Sequence, residues 1–312
     1  MNVVFMGTPE FAVPTLRKLY ESSHNIVLTV TQPDKPSGRG KKLKKSAVKE
    51  EAEKLGLEIF QPEKIKRKEN IEIISSHAPD VIVVVAFGQI LNEEILNIPK
   101  YGSINVHASL LPKLRGAAPL NWAIINGETK TGITTMQMDE GLDTGDMLLK
   151  TEVEIDENMN AGELHDILMH KGAGLLIETL DKLEKNKLAP KKQDDALSNY
   201  APMINNENRR INWNADAKNI HNLIRGLSPW PAAYFSMDGK IVKVYKSSYT
   251  RDDSAYEPGY VIKAGNEGIF VKAGGGIIIL KEIQMPGKNK MAVEAYLRGN
   301  KFTEHIILPS QD

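Results

Sequence analysis

The sequence predicts an α/β protein: a Rossmann-like, doubly wound and mostly parallel sheet, followed by a smaller C-terminal OB-like β-barrel domain. The chain opens with a strand, a tight turn and a helix, which is how a doubly wound sheet begins. Residues 80–86 form a continuous apolar run, typical of a central parallel strand covered on both faces. Residues 233–282 contain several short strand patterns separated by glycine turns, which indicates a small barrel.

The opening turn also limits the function. Residues 2–6 form the first strand, Thr8 is the expected helix cap and Pro9 is expected at the first helical position. The turn reads Gly-Thr-Pro, whereas a dinucleotide pyrophosphate is bound by Gly-x-Gly-x-x-Gly. The sequence therefore argues against a dinucleotide-dependent dehydrogenase.

The remaining elements follow from apolar periodicity and turn residues. Further strands are predicted at 26–31, 103–107, 131–138 and 147–155, and helices at about 46–55, 64–77, 117–126, 161–183, 215–227 and 291–298. Prolines and weak periodicity after residue 187 predict a linker. The expected domains are therefore residues 1–189 and 208–312, joined by a linker at 190–207.

A basic segment, residues 32–45, is predicted to be a loop that binds a polyanion. From residue 35 to residue 45 it carries six basic residues and no acid: Lys35, Arg39, Lys41, Lys42, Lys44 and Lys45. It is longer than a normal strand–helix connection, which favours a binding loop over a merely solvated surface segment. The natural partner is a phosphate backbone. Residues 208–312 add 15 Lys and Arg against 10 Asp and Glu, although the whole chain has no net charge.

Composition indicates an ordinary globular protein of 312 residues, long enough for two cores. It has no cysteine, which excludes disulfides, thiolate nucleophiles and Cys-ligated zinc. Neither a signal peptide nor an apolar stretch of membrane-spanning length is visible. We expect a cytoplasmic protein that does not contact a membrane, and nothing in the sequence requires more than a monomer.

Three polar residues at the carboxyl ends of predicted strands are candidates for catalysis. Asn105 and His107 lie two residues apart on one strand and so share a face, and Asp143 lies in the loop after 131–138. An amide and an imidazole can donate to the oxygen that becomes negative during acyl transfer, and a carboxylate can accept the proton of an attacking amine. Each residue alone is more often structural, but together they predict acyl transfer to an amine. No metal-ligand spacing is present, so no metal is expected.

The segment from Asn105 to Pro119, with Gly-Leu-Asp-Thr-Gly-Asp at 141–146, resembles the methionyl-tRNA formyltransferase family. Residues 7–11 and 32–36 agree with that family, and the resemblance covers the whole chain: formyltransferase domain, linker and OB-like domain. The Asn–His–Asp trio is shared by enzymes that use 10-formyltetrahydrofolate in this fold. The basic loop and the barrel are therefore what indicate a tRNA acceptor.

The resemblance implies formyl transfer from 10-formyltetrahydrofolate to the methionyl amino group of initiator methionyl-tRNA. It assigns oxyanion stabilisation to Asn105 and His107, and proton transfer to Asp143. The implied folate contacts are Ser109, Leu110, Leu111, Pro112, Gln89, Ile90 and Leu91. The implied tRNA contacts are Arg39, Lys41, Lys42, Lys44 and Lys45, with Arg39 as the key one.

Two other functions remain open at this point. A formyltransferase acting on a small amine, such as glycinamide ribonucleotide or an amino sugar nucleotide, would use the same trio but would not need the basic loop. A non-catalytic RNA-binding protein would use the OB-like domain alone, but it would have no reason to keep Asn105, His107 and Asp143 together. Formyl transfer to charged tRNA or to small amines separates the three possibilities.

Overall fold

The computed structural model describes residues 1–37 and 42–310, within which 17 strands and eight α-helices form. The contacts divide the chain into two units. The N-terminal unit comprises Met1–Gly116, Thr131–Val153 and His165–Ala201. The C-terminal unit comprises Ala117–Lys130, Glu154–Leu164 and Pro202–Asp312. No helix in the described ranges has both the length and the apolar character needed to cross a bilayer.

The elements up to residue 201 come first. The strands are β1 (Asn2–Gly7), β2 (Asn25–Val30), β3 (Lys35–Ser37), β4 (Lys42–Lys44), β5 (Ile59–Phe60), β6 (Val81–Val85), β7 (Ser103–His107), β8 (Arg115–Gly116), β9 (Lys130–Gln137), β10 (Met147–Glu154) and β11 (Tyr200–Ala201). The α-helices are α1 (Val13–Tyr20), α2 (Ala47–Leu55), α3 (Lys68–Ser76), α4 (Glu93–Leu96), α5 (Pro119–Ile125) and α6 (Ala161–Glu184). Short 3-10 turns span Glu10–Ala12 and Asp195–Leu197.

The main sheet has seven strands in the order β10-β9-β7-β6-β1-β2-β5. β1 lies parallel to β2 and β6, β6 lies parallel to β7, and β9 runs antiparallel to β7. Every residue of β6 is buried, as predicted from its continuous apolar run. The apolar core on this sheet includes Leu28, Ile74, Ile82 and Phe87.

Two local predictions are wrong, and the first is wrong because a tertiary contact outweighs a local pattern. Thr8 does not cap the first helix: its hydroxyl donates to the carbonyl of Phe87 at 2.8 Å, and a 3-10 turn precedes α1. Residues 32–45 are not entirely irregular, since β3 and β4 pair in antiparallel orientation with Lys35 opposite Lys44. The predicted helix start at Ser46 is confirmed, because Ser46 Oγ accepts from the Lys49 amide at 3.0 Å.

The C-terminal unit packs helices and an antiparallel sheet around a core that contains Trp213. Its further elements are α7 (Ala217–Gly226), β12 (Ala233–Met237), β13 (Lys240–Thr250), β14 (Val261–Gly265), β15 (Gly268–Lys272), β16 (Ile277–Gln284), β17 (Met291–Ala292) and α8 (Val293–Leu297). The sheet order is β12-β13-β16-β15-β14, with β17 beside β16. Trp213 is fully buried and meets Phe235 edge-on at 5.5 Å between ring centroids. The predicted fold class, a mostly parallel α/β sheet followed by a smaller antiparallel β domain, is confirmed.

Candidate active site

Strand β7 places Asn105 and His107 on the same face, as predicted from their spacing. Asn105 pairs with Val84 of β6 and Met136 of β9, which fixes its height in the sheet. The opposite face carries Val106, which lies so close to Gly172 of α6 that a Cβ there would sit 3.0 Å from Val106 Cγ1. Helix α6 therefore covers the apolar face of β7, and the polar face is left for chemistry.

His107 is held by a backbone carbonyl. Its side chain is 5% exposed, and its Nε2 lies 3.0 Å from the carbonyl oxygen of Leu114. A carbonyl oxygen only accepts hydrogen bonds, so Nε2 carries the hydrogen and donates it. The other ring nitrogen, Nδ1, then faces Asp143 Oδ1 at 3.6 Å. The imidazole is thus oriented with one nitrogen anchored and the other directed at a carboxylate.

Asp143 completes the predicted trio. Its Oδ1 lies 3.4 Å from the Asn105 amide nitrogen, which donates to it. Its Oδ2 accepts a hydrogen bond from the Gly116 backbone amide at 2.8 Å. Its backbone has a φ of +56°, in the left-handed region that residues other than glycine rarely occupy. The structure therefore brings all three predicted residues together, and the turn that carries Asp143 is unusual.

Gly116 allows the backbone to approach Asp143. Its φ of +113° disfavours any residue with a side chain, and a Cβ there would lie 2.8 Å from the Ala201 carbonyl oxygen. The ring of Tyr200 also covers this glycine, while 58% of that residue stays exposed. A glycine is thus required at 116 for the N–H that binds the carboxylate.

Sequence reasoning missed two residues that hold the Asp143 loop. The side-chain amide of Gln193 donates to the carbonyl oxygens of Asp143 and Gly145, both at 2.8 Å. Arg115 in turn donates to Gln193 Oε1 and to Asp195. Gln193 is 50 residues from Asp143 in sequence and lies in a stretch predicted to be linker, so no local pattern could have identified it.

The turn predicted to contact folate, residues 109–112, is braced from inside. Ser109 is fully buried, and its hydroxyl donates to the Lys113 carbonyl at 2.6 Å. Leu111 is 1% exposed, and its amide donates to Thr134 Oγ1 at 3.1 Å. Leu110 and Pro112 are partly exposed. Only these two of the four predicted side chains are available to a ligand, so Ser109 and Leu111 serve the shape of the turn.

A lysine also supports this turn. Lys150 Nζ donates to the carbonyl oxygen of Leu111. Burial lowers the pKa of Lys150, and the charge of Lys191 acts in the same direction. The carbonyl of a residue in the predicted folate turn is therefore fixed by a cationic donor.

The second predicted folate segment, residues 89–91, is similarly mixed. Gln89 is engaged at both ends of its amide, accepting from the Ile65 amide at 2.8 Å and donating to the Pro62 carbonyl at 3.0 Å. Leu91 is 6% exposed and belongs to the core. Ile90 is 73% exposed. Ile90 is thus the one side chain of this segment that is open to a ligand.

Comparison with known proteins decides the family. Residues 1–180 match the family described as formyl transferase, and residues 203–301 match its C-terminal domain. The methionyl-tRNA formyltransferase of Clostridium novyi (strain NT) is 53% identical over 309 residues, which are 99% of this chain and 100% of that protein. That of Geotalea uraniireducens (strain Rf4) is 51% identical over 312 residues, which are 100% of this chain and 99% of that protein.

The chain belongs to the methionyl-tRNA formyltransferase family. The resemblance inferred from residues 105–119 and 141–146 is thereby confirmed. The fold extends to more distant enzymes: the N-formyltransferase from Helicobacter canadensis, solved with folinic acid and dTDP-3-aminofucose, matches with a TM-score of 0.65 at 22% identity. That match covers 89% of this chain and 98% of the other. At such identity it speaks for the fold alone.

The residues predicted to bind tRNA are only partly described. Arg39 and Lys41 lie outside the described residues, and of Lys42 only the backbone is described. Lys44 is exposed at the end of β4. Lys45 is also exposed, but its ammonium pairs with Glu53 at 2.7 Å. The hydrogen bond that Lys45 donates to Glu53 raises the pKa of Lys45. The two described lysines thus differ in how much of their charge is already compensated.

Within residues 1–37 and 42–310, no group of three or more His, Asp or Glu is placed to bind a metal ion.

Proposed function

We propose that this protein transfers the formyl group of 10-formyltetrahydrofolate to the amino group of initiator methionyl-tRNA. The observation that carries the proposal is full-length similarity, at 53% identity, to a methionyl-tRNA formyltransferase. The assembled trio Asn105, His107 and Asp143 supplies the chemistry that such a transfer requires.

The geometry supports distinct roles for the three side chains. The amine nitrogen attacks the formyl carbon, and the formyl oxygen becomes negative in the tetrahedral intermediate. One Asn105 amide hydrogen is directed at Asp143, so the other is available to that oxygen. His107 Nδ1 lies on the same face of β7 and is the second donor once it carries a proton. Contacts of 3.4 and 3.6 Å are the loose distances that shorten when substrate is bound.

Asp143 takes the proton from the attacking amine, directly or through one water. Its Oδ2 already accepts a hydrogen bond from the Gly116 amide, which fixes the orientation of the carboxylate. Collapse of the intermediate breaks the bond between the formyl carbon and N10 of the folate, and the proton that Asp143 took from the amine passes to N10, directly or through water. No covalent enzyme intermediate is needed, in keeping with a cysteine-free chain.

The folate is expected to meet the exposed parts of the two braced segments. We assign side-chain contacts to Ile90, Leu110 and Pro112, because these are accessible. Ser109, Leu111, Gln89 and Leu91 contribute through the backbone that their buried or hydrogen-bonded side chains hold in place. Backbone donors and acceptors suit the polar edge of a pterin.

The tRNA is expected to meet the basic residues of 35–45, with Arg39 and Lys41 included on sequence grounds. Lys44→Ala should raise the KM for tRNA several-fold and reduce the slope of log affinity against log salt by about one. Lys45→Ala should do less, because Glu53 already offsets its charge. Lys68→Ala, at the exposed start of α3, is the matched control. All three should leave the KM for the folate unchanged, and equal behaviour of all three would contradict the assignment.

The experiment that tests the function follows folate release during incubation with 10-formyltetrahydrofolate and an acceptor. Methionyl initiator tRNA should accept the formyl group, whereas uncharged tRNA, glycinamide ribonucleotide and an amino sugar nucleotide should not. Transfer to a small amine without transfer to charged tRNA would overturn the proposal. Tight tRNA binding without any transfer would instead support an RNA-binding protein.

We also propose that the enzyme is monomeric and cytoplasmic. Sedimentation at concentrations used for assay should give the mass of one 34.6 kDa chain. Fractionation of cells should recover the activity in the cytosol.

A further inference from the structure

Gln193 is a buried polar residue in a stretch that the sequence predicts to be linker. It is 6% exposed, and its neighbours Lys192 and Asp194 are exposed. A buried amide of this kind is stable only when its hydrogen-bonding groups are satisfied. Its partners show what it does.

All the hydrogen-bonding capacity of this side chain is directed at the active-site loops. Its Oε1 accepts from Arg115 Nε at 3.1 Å and Nη2 at 2.9 Å. Because a guanidinium only donates, the atom facing it must be the oxygen, and the amide orientation is fixed. Its Nε2 therefore donates both hydrogens to the carbonyl oxygens of Asp143 and Gly145.

The hydrogen bonds of Gln193 form a bridge, and both ends of this bridge are also connected to the carboxylate of Asp143. Arg115 precedes Gly116, whose amide donates to Asp143 Oδ2 at 2.8 Å. Gln193 thus ties the backbone of Asp143 to the strand that binds its side chain. The positive φ of Asp143 is a conformation that persists only where surrounding contacts hold it, and Gln193 supplies two of those contacts.

We propose that Gln193 is a positioning residue that sets the Asp143 carboxylate against Asn105 and His107. This inference rests on the proposed formyl transfer, for which Asp143 takes the proton of the amine. Gln193 touches neither substrate in this scheme. Its loss should therefore lower turnover and leave substrate binding intact.

Two variants test the bridge. Gln193→Leu removes all four hydrogen bonds, and Gln193→Glu keeps the acceptor for Arg115 but replaces the donors with an oxygen facing two carbonyls. Both should lower kcat about tenfold to a hundredfold, the scale expected for a misplaced catalytic group, with each KM within about twofold of wild type. The control is Asp194→Asn, which keeps the oxygen that accepts from the Ala196 amide. It should match wild type.

A double-mutant cycle separates positioning from a general structural role. If Gln193 acts through Asp143, adding Gln193→Leu or Gln193→Glu to Asp143→Asn should change kcat by no more than about twofold. Multiplication of the two single effects would overturn the inference. So would an unchanged kcat in both Gln193 variants alongside a damaged Asp143→Asn. The Glu variant provides the answer if the Leu variant does not fold.

Wild-type protein, assayed first, keeps this test apart from the proposed function. If wild type formylates a small amine instead of charged tRNA, the proposed acceptor is wrong, but the same cycle with that amine still tests Gln193. Hydrogen exchange gives a readout that needs no turnover. Amides of residues 139–146 should exchange faster in Gln193→Leu than in wild type or Asp194→Asn, and equal protection would overturn the inference.

Discussion

Two buried histidines, one in each unit, differ in a way that supports our proposal of a catalytic role for one and a structural role for the other. His107 is 5% exposed and His221 is 4% exposed. Each has Nε2 near a backbone carbonyl oxygen, that of Leu114 at 3.0 Å and that of Glu157 at 3.4 Å. Burial and this first contact are therefore the same in kind at both positions.

The difference lies at the second nitrogen. His221 Nδ1 is 3.0 Å from the hydroxyl of Ser247, which donates to it when the ring is neutral, so both nitrogens are satisfied. Burial lowers the pKa of His221, which favours that neutral form. His107 Nδ1 instead faces the carboxylate of Asp143, which has no hydrogen to give. The partner of the second nitrogen, more than burial, is what supports the proposed catalytic role of His107.

The largest expected effect comes from removing the donors on β7. His107→Ala and Asn105→Ala should each lower kcat about a hundredfold or more, as for loss of an oxyanion donor. Steady-state formylation of methionyl-tRNA measures this, with thermal unfolding as the check on folding. His221→Ala, assayed well below its unfolding temperature, should stay within about twofold of wild type. Similar losses of kcat in the His107 and His221 variants would contradict the proposed difference between the two histidines.

Asp143→Asn should come next. The substitution keeps the shape of the side chain but removes the carboxylate that takes the amine proton, so kcat should fall by about a hundredfold. The KM for the folate should change little, because the carboxylate acts on the amine. Ser247→Ala removes the partner of Nδ1 at the other histidine, His221, and should leave kcat unaltered. An active Asp143→Asn enzyme would mean that the proton leaves by another route.

The face on which β7 carries its polar residues could be predicted from the sequence, but not all the residues that contact the site could. Alternation along a strand suffices to place Asn105 and His107 together, and the apolar run of β6 suffices to make it central. The place of Asp143 in the loop after a predicted strand makes it a candidate, but its turn composition is ordinary and its positive φ has no local signature. Gln193 was missed altogether, because only the folded chain brings it to Asp143.

Local rules for helix capping also fail where the fold brings in a residue that is distant in sequence. The Ser46 hydroxyl contacts the Thr31 hydroxyl and still accepts the hydrogen bond that caps α2, as predicted. Thr8 has the same chemistry but finds the carbonyl of Phe87, 79 residues away. The sequence shows that both residues favour helix capping, but it does not show which other acceptors the fold brings close to each hydroxyl.

A smaller effect on stability is expected at His221. His221→Ala leaves the Ser247 hydroxyl and the Glu157 carbonyl without their partner, which should cost about 2 kcal/mol in the free energy of unfolding. Urea unfolding followed by tryptophan fluorescence measures it well, because all three tryptophans, Trp122, Trp213 and Trp230, lie in the C-terminal unit with His221. No loss of stability would mean that the two hydrogen bonds contribute little.

The smallest effect is a pH dependence that sharpens the contrast. Burial holds the pKa of folded His221 below its ordinary value of 6.5, so the unfolded chain takes up a proton first as the pH falls. The stability contributed by this group is complete above pH 6.5 and is lost below it, by at most about 1.4 kcal/mol per pH unit, until the folded pKa is reached. His221→Gln should therefore flatten the fall in unfolding free energy between pH 7 and pH 5. His24, whose pKa is also lowered by burial, contributes equally to both proteins and cancels in the difference. Parallel pH curves for wild type and variant would show that His221 does not titrate between the folded and unfolded states as its surroundings require.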